Sequence, residues 1–396
     1  MTPRPMDLAR RFRGATVFLG CGFAAKYPQG GGNFSVPIQW MLGLLRLGLD
    51  AVWLEVMPST GEPSEDAARA ENFETQLAVH GLAGRYALLV EPHGSKEQDL
   101  ASMEARGMDM ATLRRRLRGP TVLLNLCNSF RPPLVGLFER RILCDLDPSE
   151  IAHWMTRIEV GQSSHHEFWT IGLNRHGEDC RMSPPTVKWR TFPPLVDTRL
   201  YQPFPLPIRP RFTTITQWYW SQSIEVEGAY PDLSKKASFE KFSDLPHRVP
   251  EAEMELAVNL NPDDPEIERL HGLGWRLAVP HRVASTPAAY RNYLAGSLAE
   301  FSACKRIESL MRSGWVSDRS VAYLATGRPV VAEDTGAAKY FPPDCGIFWV
   351  RDAGEAEEAV RRVMREAPAL TRKARQAAEV FFDSARVLER MLGESG

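Results

Sequence analysis

Lys305, Ser317, Asp318, Arg319 and Thr335 fall within one stretch, residues 297–336, SLAEFSACKRIESLMRSGWVSDRSVAYLATGRPVVAEDTG. Cations, hydroxyls and a carboxylate here surround the predicted start of a helix at Ser317. The unpaired N–H groups and positive dipole end of a helix make its N-terminus a natural seat for a phosphate. Ser317 supplies a capping hydroxyl, Arg319 a cation in the first turn, and Lys305 a cation on the preceding loop. Asp318 suits the positive helix end but repels an anion placed too near. Capping and contact with a ligand's neutral hydroxyls are both open to it. Glu300 and Ser302 stand just before the loop, and Glu333, Thr335 and Gly336 close the stretch, as further cleft candidates. A second group of carboxylates, Asp145 and Asp147, ends the apolar run RRILCD. A carboxylate so placed takes a proton from an attacking hydroxyl. Asp147 also has the position of an N-cap for a helix beginning at Pro148.

These side chains need a scaffold. An apolar segment ending near Phe301, a loop, a helix over 317–326, Gly327 as its stop and Val330-Val331 behind Pro329 make one α/β repeat. Open α/β sheets bind ligands outside the carboxyl ends of their strands. The same alternation runs through the chain. ATVFLGCGFA has the continuous apolar run of a buried parallel strand. A loop with Gly30, Gly31 and Gly32 follows, then a helix predicted over 36–47, with Ser35 as N-cap and Pro37 in the first turn. AVWLEV is the next strand, and residues 58–118 read as polar and helix-rich, ending in the basic TLRRRLRG. PTVLLNLCNS, RRILCDLD and HHEFWTIGLN follow as strands whose polar ends carry Asn128, Asp145 with Asp147, and Asn174. His165 and His166 precede the last of these, toward the far edge of a parallel sheet. Neighbours on a strand point to opposite faces, so they make no metal pair, and His166 stands in reserve as a base.

The run SDRSVAYLATGRPVVAEDTG resembles the nucleotide-sugar-binding half of GT-B glycosyltransferases. In that family a polar loop leads to a helix ending in small residue-Gly-x-Pro, then a Val-Val strand and a glycine turn. PPLVDTRLYQP is similar to the family's Asn-Gly-Val-Asp-x-x-x-Phe-x-Pro linker, with Pro193-Pro194 and Leu195 replacing Asn-Gly. The resemblance implies two Rossmann-like α/β domains facing across a cleft: 1–195 for the acceptor, 196–375 for the nucleotide sugar, and a helix over 376–396 returning to the first domain. It implies a hexosyl or related transferase that moves sugar from a nucleoside diphosphate sugar to a hydroxyl-bearing small molecule or glycan, without metal or tightly bound cofactor. Lys236, Glu300, Ser302, Lys305, Ser317, Asp318 and Arg319 would then hold the sugar donor, with Glu333, Thr335 and Gly336. The glycine-rich loop (Gly31, Gly32, Asn33), Asn128 and Asn174 would hold the acceptor, and Asp147, Asp145 or His166 would be the base. Retaining members carry two glutamates where Gly314 and Ala322 stand here, so inversion or retention stays open. A nucleotide-sugar epimerase of the same shape is an alternative. So is an NAD(P)- or flavin-dependent oxidoreductase, because Gly20-Cys21-Gly22-Phe23-Ala24-Ala25 fits GxGxxG/A. Against the latter, Pro28 and the three glycines delay the helix, and Glu55 lies too far along for the ribose carboxylate.

Composition bounds these readings. A chain of 396 residues suits two domains. A net charge of -1 gives no global field to recruit nucleic acid or an acidic membrane. The six cysteines are scattered singly without a zinc or CxxC spacing, as expected of reduced thiols in a cytoplasmic protein. MTPRPMDLARRFRG lacks the apolar core of a signal peptide, and no run approaches the ~20 apolar residues of a membrane span. Residues 183–212 hold eight prolines, a density that blocks regular structure and marks the expected join between domains.

Overall fold

The computed structural model describes residues 5–226 and 228–394. The chain builds its first sheet from β1 (Thr16–Cys21), β2 (Asp50–Pro58), β3 (Tyr86–Glu91), β4 (Glu104–Gly107), β5 (Thr121–Leu126), β6 (Arg140–Asp145), β7 (Glu167–Thr170) and β8 (Trp189–Thr191). Their order is β4-β3-β2-β1-β5-β6-β7-β8, parallel except where β4 pairs antiparallel with β3. The second sheet holds β9 (Arg211–Thr216), β10 (Glu253–Val258), β11 (Arg276–Ala278), β12 (Ala299–Ser302), β13 (Val330–Glu333) and β14 (Ile347–Val350), all parallel in the order β11-β10-β9-β12-β13-β14. β1, β2 and β5 are buried almost throughout, because helices cover both faces of a parallel sheet. Strand order reverses between β1 and β5 and again between β9 and β12. At such switch points the loops part and leave a crevice at the carboxyl ends.

Two sequence expectations change. The helix after β1 spans Gly31–Arg46, beginning well before Val36, and Pro37 lies inside it. Ser35 does not cap; its hydroxyl donates to the Gly31 carbonyl at 2.7 Å. The early start is tertiary, since the Gly31 amide donates across the domains to Ala284 O at 2.9 Å. The polar region 58–118 also contains β3 and β4. YALLVE is too short a run to stand out among helices, and β4 is a polar edge strand whose residues are half or fully exposed.

The chain passes between the sheets twice, and the two crossings lie side by side. Val196 N donates to Phe382 O at 2.8 Å and Ser384 N to Val196 O at 2.9 Å. Arg46 binds both strands of this crossing: Asp197 at 3.1 Å, and Asp383 at 2.9 and 3.2 Å. A π-turn over 378–382 separates the helix Ala353–Ala377 from Ser384–Glu394, which packs on Gly31–Arg46. Gly43 makes room there; a Cβ on it would lie 2.7 Å from the Leu388 side chain. Leu388, Met391 and Leu392 thereby join the first domain's core with Trp40, Met41 and Leu44.

Burial raises the Asp383 carboxyl, but hydrogen bonds from Arg46 and Thr198 overcome it and leave the pKa below the ordinary value. A depressed carboxyl stabilises the fold above its unfolded pKa, and that contribution is lost as pH falls through the folded one. Arg46→Met should therefore cost about 3–5 kcal/mol at neutral pH, because two buried carboxylates lose their cation. Urea denaturation should also show that the variant loses less stability than the wild type below about pH 4.

Candidate functional site

The loops at the carboxyl ends of β6 and β7 meet the loop after β12, and the site forms along that seam. Asp145, the last residue of β6, is buried and accepts from Thr170 Oγ1 at 2.7 Å and from the Asp147 amide at 2.8 Å. Burial pushes its pKa up to about 7. Asp145 thus holds the turn that presents Asp147. Asp147 occupies the N-cap position of Pro148–Trp154, but its side chain makes no capping bond. Instead Lys305 Nζ donates to Asp147 Oδ1 and to Glu150 Oε1, each at 2.7 Å. The Trp220 ring centroid lies 4.1 Å from the same ammonium. Burial disfavours the Lys305 charge, but the two carboxylates prevail and set its pKa above the ordinary lysine value. One turn on, Ser149 Oγ donates to Glu308 Oε2 at 2.8 Å, and burial pushes the Glu308 carboxyl up to about 8.

Across the seam, Ser317 caps the helix Asp318–Ala325 by accepting from the Arg319 amide at 3.2 Å. Arg319 turns into its own domain. Its guanidinium donates to Glu300 Oε1 at 2.6 Å, Ser302 Oγ at 2.6 Å and Ile215 O at 2.8 Å. It thereby ties together the carboxyl ends of β9 and β12. Asp318 has no side-chain partner among the described residues; burial, and then the facing Asp147, push its pKa up to about 7. Lys235 begins a short helix after the β9 loop, capped by Ser234. Among the described residues its ammonium has no hydrogen bond or ion pair. Desolvation, then the positive charges of Arg319 and Lys305, lower its pKa to about 7. Cys127 and Asn128 follow β5 with φ of 52° each, an uncommon conformation for residues other than glycine. Burial, then Asp147 and Asp145, raise the Cys127 thiol.

The structure thus brings Asp147, Lys305, Asp318, Arg319, Glu300 and Ser302 together along this seam, with Glu300 buried beneath Arg319, and gives other expected residues different work. Asn174 locks the domains. Its amide donates to Arg312 O at 2.6 Å and Asp179 at 3.0 Å, while Tyr340 OH donates to its oxygen at 2.9 Å. Gly314 at φ +76° and Gly336 at φ +87° form its socket, and a Cβ on Gly314 would lie 2.4 Å from the Asn174 nitrogen. Gly31 and Gly32 abut the second domain; a Cβ on Gly31 would meet Thr286 O at 2.3 Å, and one on Gly32 the Tyr290 ring at 3.3 Å. The Asn33 amide lies back against Gly30, and Asn128 lies beside Gly161. Lys236 pairs with Glu266 at 2.8 Å. Glu333 is buried with Lys241 at 2.5 Å, and Thr335 donates to Trp315 O at 2.7 Å. His166 lies at the amino edge of β7 against Arg141 Nη2 at 2.6 Å, away from the cleft. Glu55 is sealed by the Ala25 amide and the Trp53 indole, both at 2.9 Å.

Sequence reasoning missed Lys235, Glu150, Glu308 and Trp220. The Lys235-Lys236 doublet was visible, but which lysine faces the cleft depends on how one short helix is set. Glu150 sits one turn inside a helix whose first residue alone drew attention.

Residues 260–393 match the family described as glycosyl transferase-like. An alpha-glucosyltransferase solved with UDP and a mismatched 13-mer DNA superposes with a TM-score of 0.58 at 9% identity, covering 95% of this chain and 97% of its own. An E. coli trehalose-6-phosphate structure bound with UDP-2-fluoro glucose gives 0.56 at 10%, covering 96% and 99%. A glycosyltransferase from Rickettsia africae gives 0.51 at 10%, covering 97% and 100%. The fold is GT-B. No curated protein sequence matches the chain. Among the described residues of this GT-B chain no helix is long and apolar enough to cross a membrane, and no group of three His, Cys, Asp or Glu is placed to hold a metal.

A carboxyl raised in the folded state keeps its proton there, so stability falls as pH climbs from its unfolded value through its folded one. For Glu308 that window runs from 4.5 to about 8. Glu308→Gln should flatten this decline, and urea midpoints compared near pH 5 and pH 8 will measure it; a decline as steep as the wild type's would locate the titration elsewhere.

Proposed function

We propose that this GT-B protein transfers a sugar from a nucleoside diphosphate sugar to the hydroxyl of a small molecule or glycan. The observation that carries the reading is Lys235, a lysine without a partner among the described residues, at the β9–β12 switch point beside Lys305, Arg319 and the helix that starts at Asp318. Structures of similar fold are described with UDP and UDP-2-fluoro glucose, which favours a uridine diphosphate sugar.

The chemistry follows from charge. The bond from the anomeric carbon to the diphosphate oxygen breaks, and that oxygen takes the electron pair. Lys235, the amide end of the Asp318–Ala325 helix and the Ser317 turn stabilise the charge as it develops, the part a metal plays in other transferases. The acceptor oxygen forms the new bond to the anomeric carbon, and its proton passes to Asp147 on the first domain. Arg319 acts one step back, holding Glu300 and Ser302 at the strand ends. Cys127 and Asn128 stand on a left-handed turn after β5, with Asp147 close enough to raise the Cys127 thiol.

Charge-assisted contacts contribute roughly 1.5–3 kcal/mol, so Lys235→Ala should weaken UDP binding about ten- to a hundredfold in calorimetry while uridine binding hardly changes. Lys236→Ala, which removes a lysine already paired, should change UDP binding much less. Equal losses for UDP and uridine in Lys235→Ala would mean a damaged fold, and no loss would move the phosphates elsewhere. Asp147→Asn should abolish sugar transfer without weakening UDP binding; turnover in that variant would remove Asp147 as the base.

A further inference from the structure

Lys305 belongs to the second domain, and both of its anionic partners belong to the first. Asp147 and Glu150 each approach it at 2.7 Å, and Trp220 covers it from the β9 loop. That loop straps the cleft. Trp154 Nε1 donates to Gln222 Oε1 at 3.3 Å, and Arg157 pairs with Glu225 at 3.3 Å. Glu150 is buried, and Lys305 is its partner among the described residues. A buried ion pair is a poor source of stability, because removing both charges from water offsets most of their attraction. The arrangement therefore calls for another explanation.

A nucleoside diphosphate seated by Lys235 brings negative charge to the neighbourhood of Lys305. Asp147, Glu150 and Asp318 already face that space. Like charges so close cannot all persist in a partly dry cleft. The nucleotide stays out unless the carboxylates take up protons or the first-domain pair withdraws.

We propose that Asp147 and Glu150 stand in for the diphosphate on Lys305 before the nucleotide arrives, so that nucleotide binding itself frees Asp147 to act on the acceptor. This rests on the sugar-transfer reading above. Glu150 is a positioning residue in this scheme. It shares Lys305 with Asp147 and, once released, leaves with the first-domain helix Pro148–Trp154. Because coupling is reciprocal, whatever loosens the carboxylates from Lys305 tightens the nucleotide.

Calorimetry with UDP on the full chain tests this. Glu150→Gln, similar in shape and uncharged, should bind UDP about tenfold more tightly than the wild type, an increase that a merely structural role for Glu150 would not produce. Lys305→Met should bind UDP more weakly, and Glu150→Gln added to it should give no further gain. Should Glu150→Gln fail to fold, Glu150→Asp keeps the charge but shortens the reach, and a gain of about threefold is expected. UDP binding that is unchanged or weaker in the Glu150 variants, with the wild type binding normally, overturns the proposal and leaves the sugar-transfer reading standing. A wild type that does not bind UDP overturns both.

Discussion

Arg46 is the interaction on which the geometry of the cleft depends. It ends the helix that begins at Gly31, and its guanidinium binds Asp197 and Asp383, one on each passage of the chain between domains. A single cation thus holds both crossings to one rigid rod. The other end of that rod touches the second domain, where Gly31 bonds to Ala284. The helix Gly31–Arg46 therefore sets the spacing of the domains at the crossing and at the cleft together. Asp197 and Asp383 are almost wholly buried, so their charges make sense only with Arg46 in place.

Between those ends the two domains meet through a series of hydrogen bonds, and glycine does much of the fitting. Asn174 enters the second domain between Gly314 and Gly336, whose positive φ values bend the chain away and whose missing Cβ atoms leave space. Gly336 was expected at the sugar donor, and Gly314 stands where retaining members carry a glutamate. In the folded chain they are a socket for a side chain of the other domain. This contact and the Ser149–Glu308 bond hold the cleft narrow beside Lys305.

The charges in the cleft are arranged so that few are neutralised locally. Arg319 is matched by Glu300 and Lys236 by Glu266, and these pairs shape their own domain. Lys305 finds its counter-ions only in the other domain, and Lys235 finds none among the described residues. Burial favours the neutral forms here, raising the Asp145, Asp318 and Glu308 carboxyls and lowering the Lys235 ammonium. The diphosphate of the proposed donor would complete such a site.

Much of the fold was legible from local signals. The apolar runs of β1, β2, β5 and β6, the helix stop at Gly327 before Pro329, and the cap at Ser317 are written in neighbouring residues and survive folding unchanged. The two-domain α/β plan follows from them. Local signals failed where a partner lay far along the chain. The helix starts at Gly31 rather than Val36 because Ala284 accepts its first amide. Asn174 became a clamp because Arg312 and Tyr340 meet it there. Asp147 does not cap its helix because Lys305 draws the carboxylate away. The sequence by itself determined which residue types stand at the strand ends, since backbone propensity and apolar periodicity are short-range. Which lysine is free, which carboxylate is paired and which glycine is a socket were decided by tertiary structure, because electrostatic pairing and close packing depend on distances that only the folded chain brings into being.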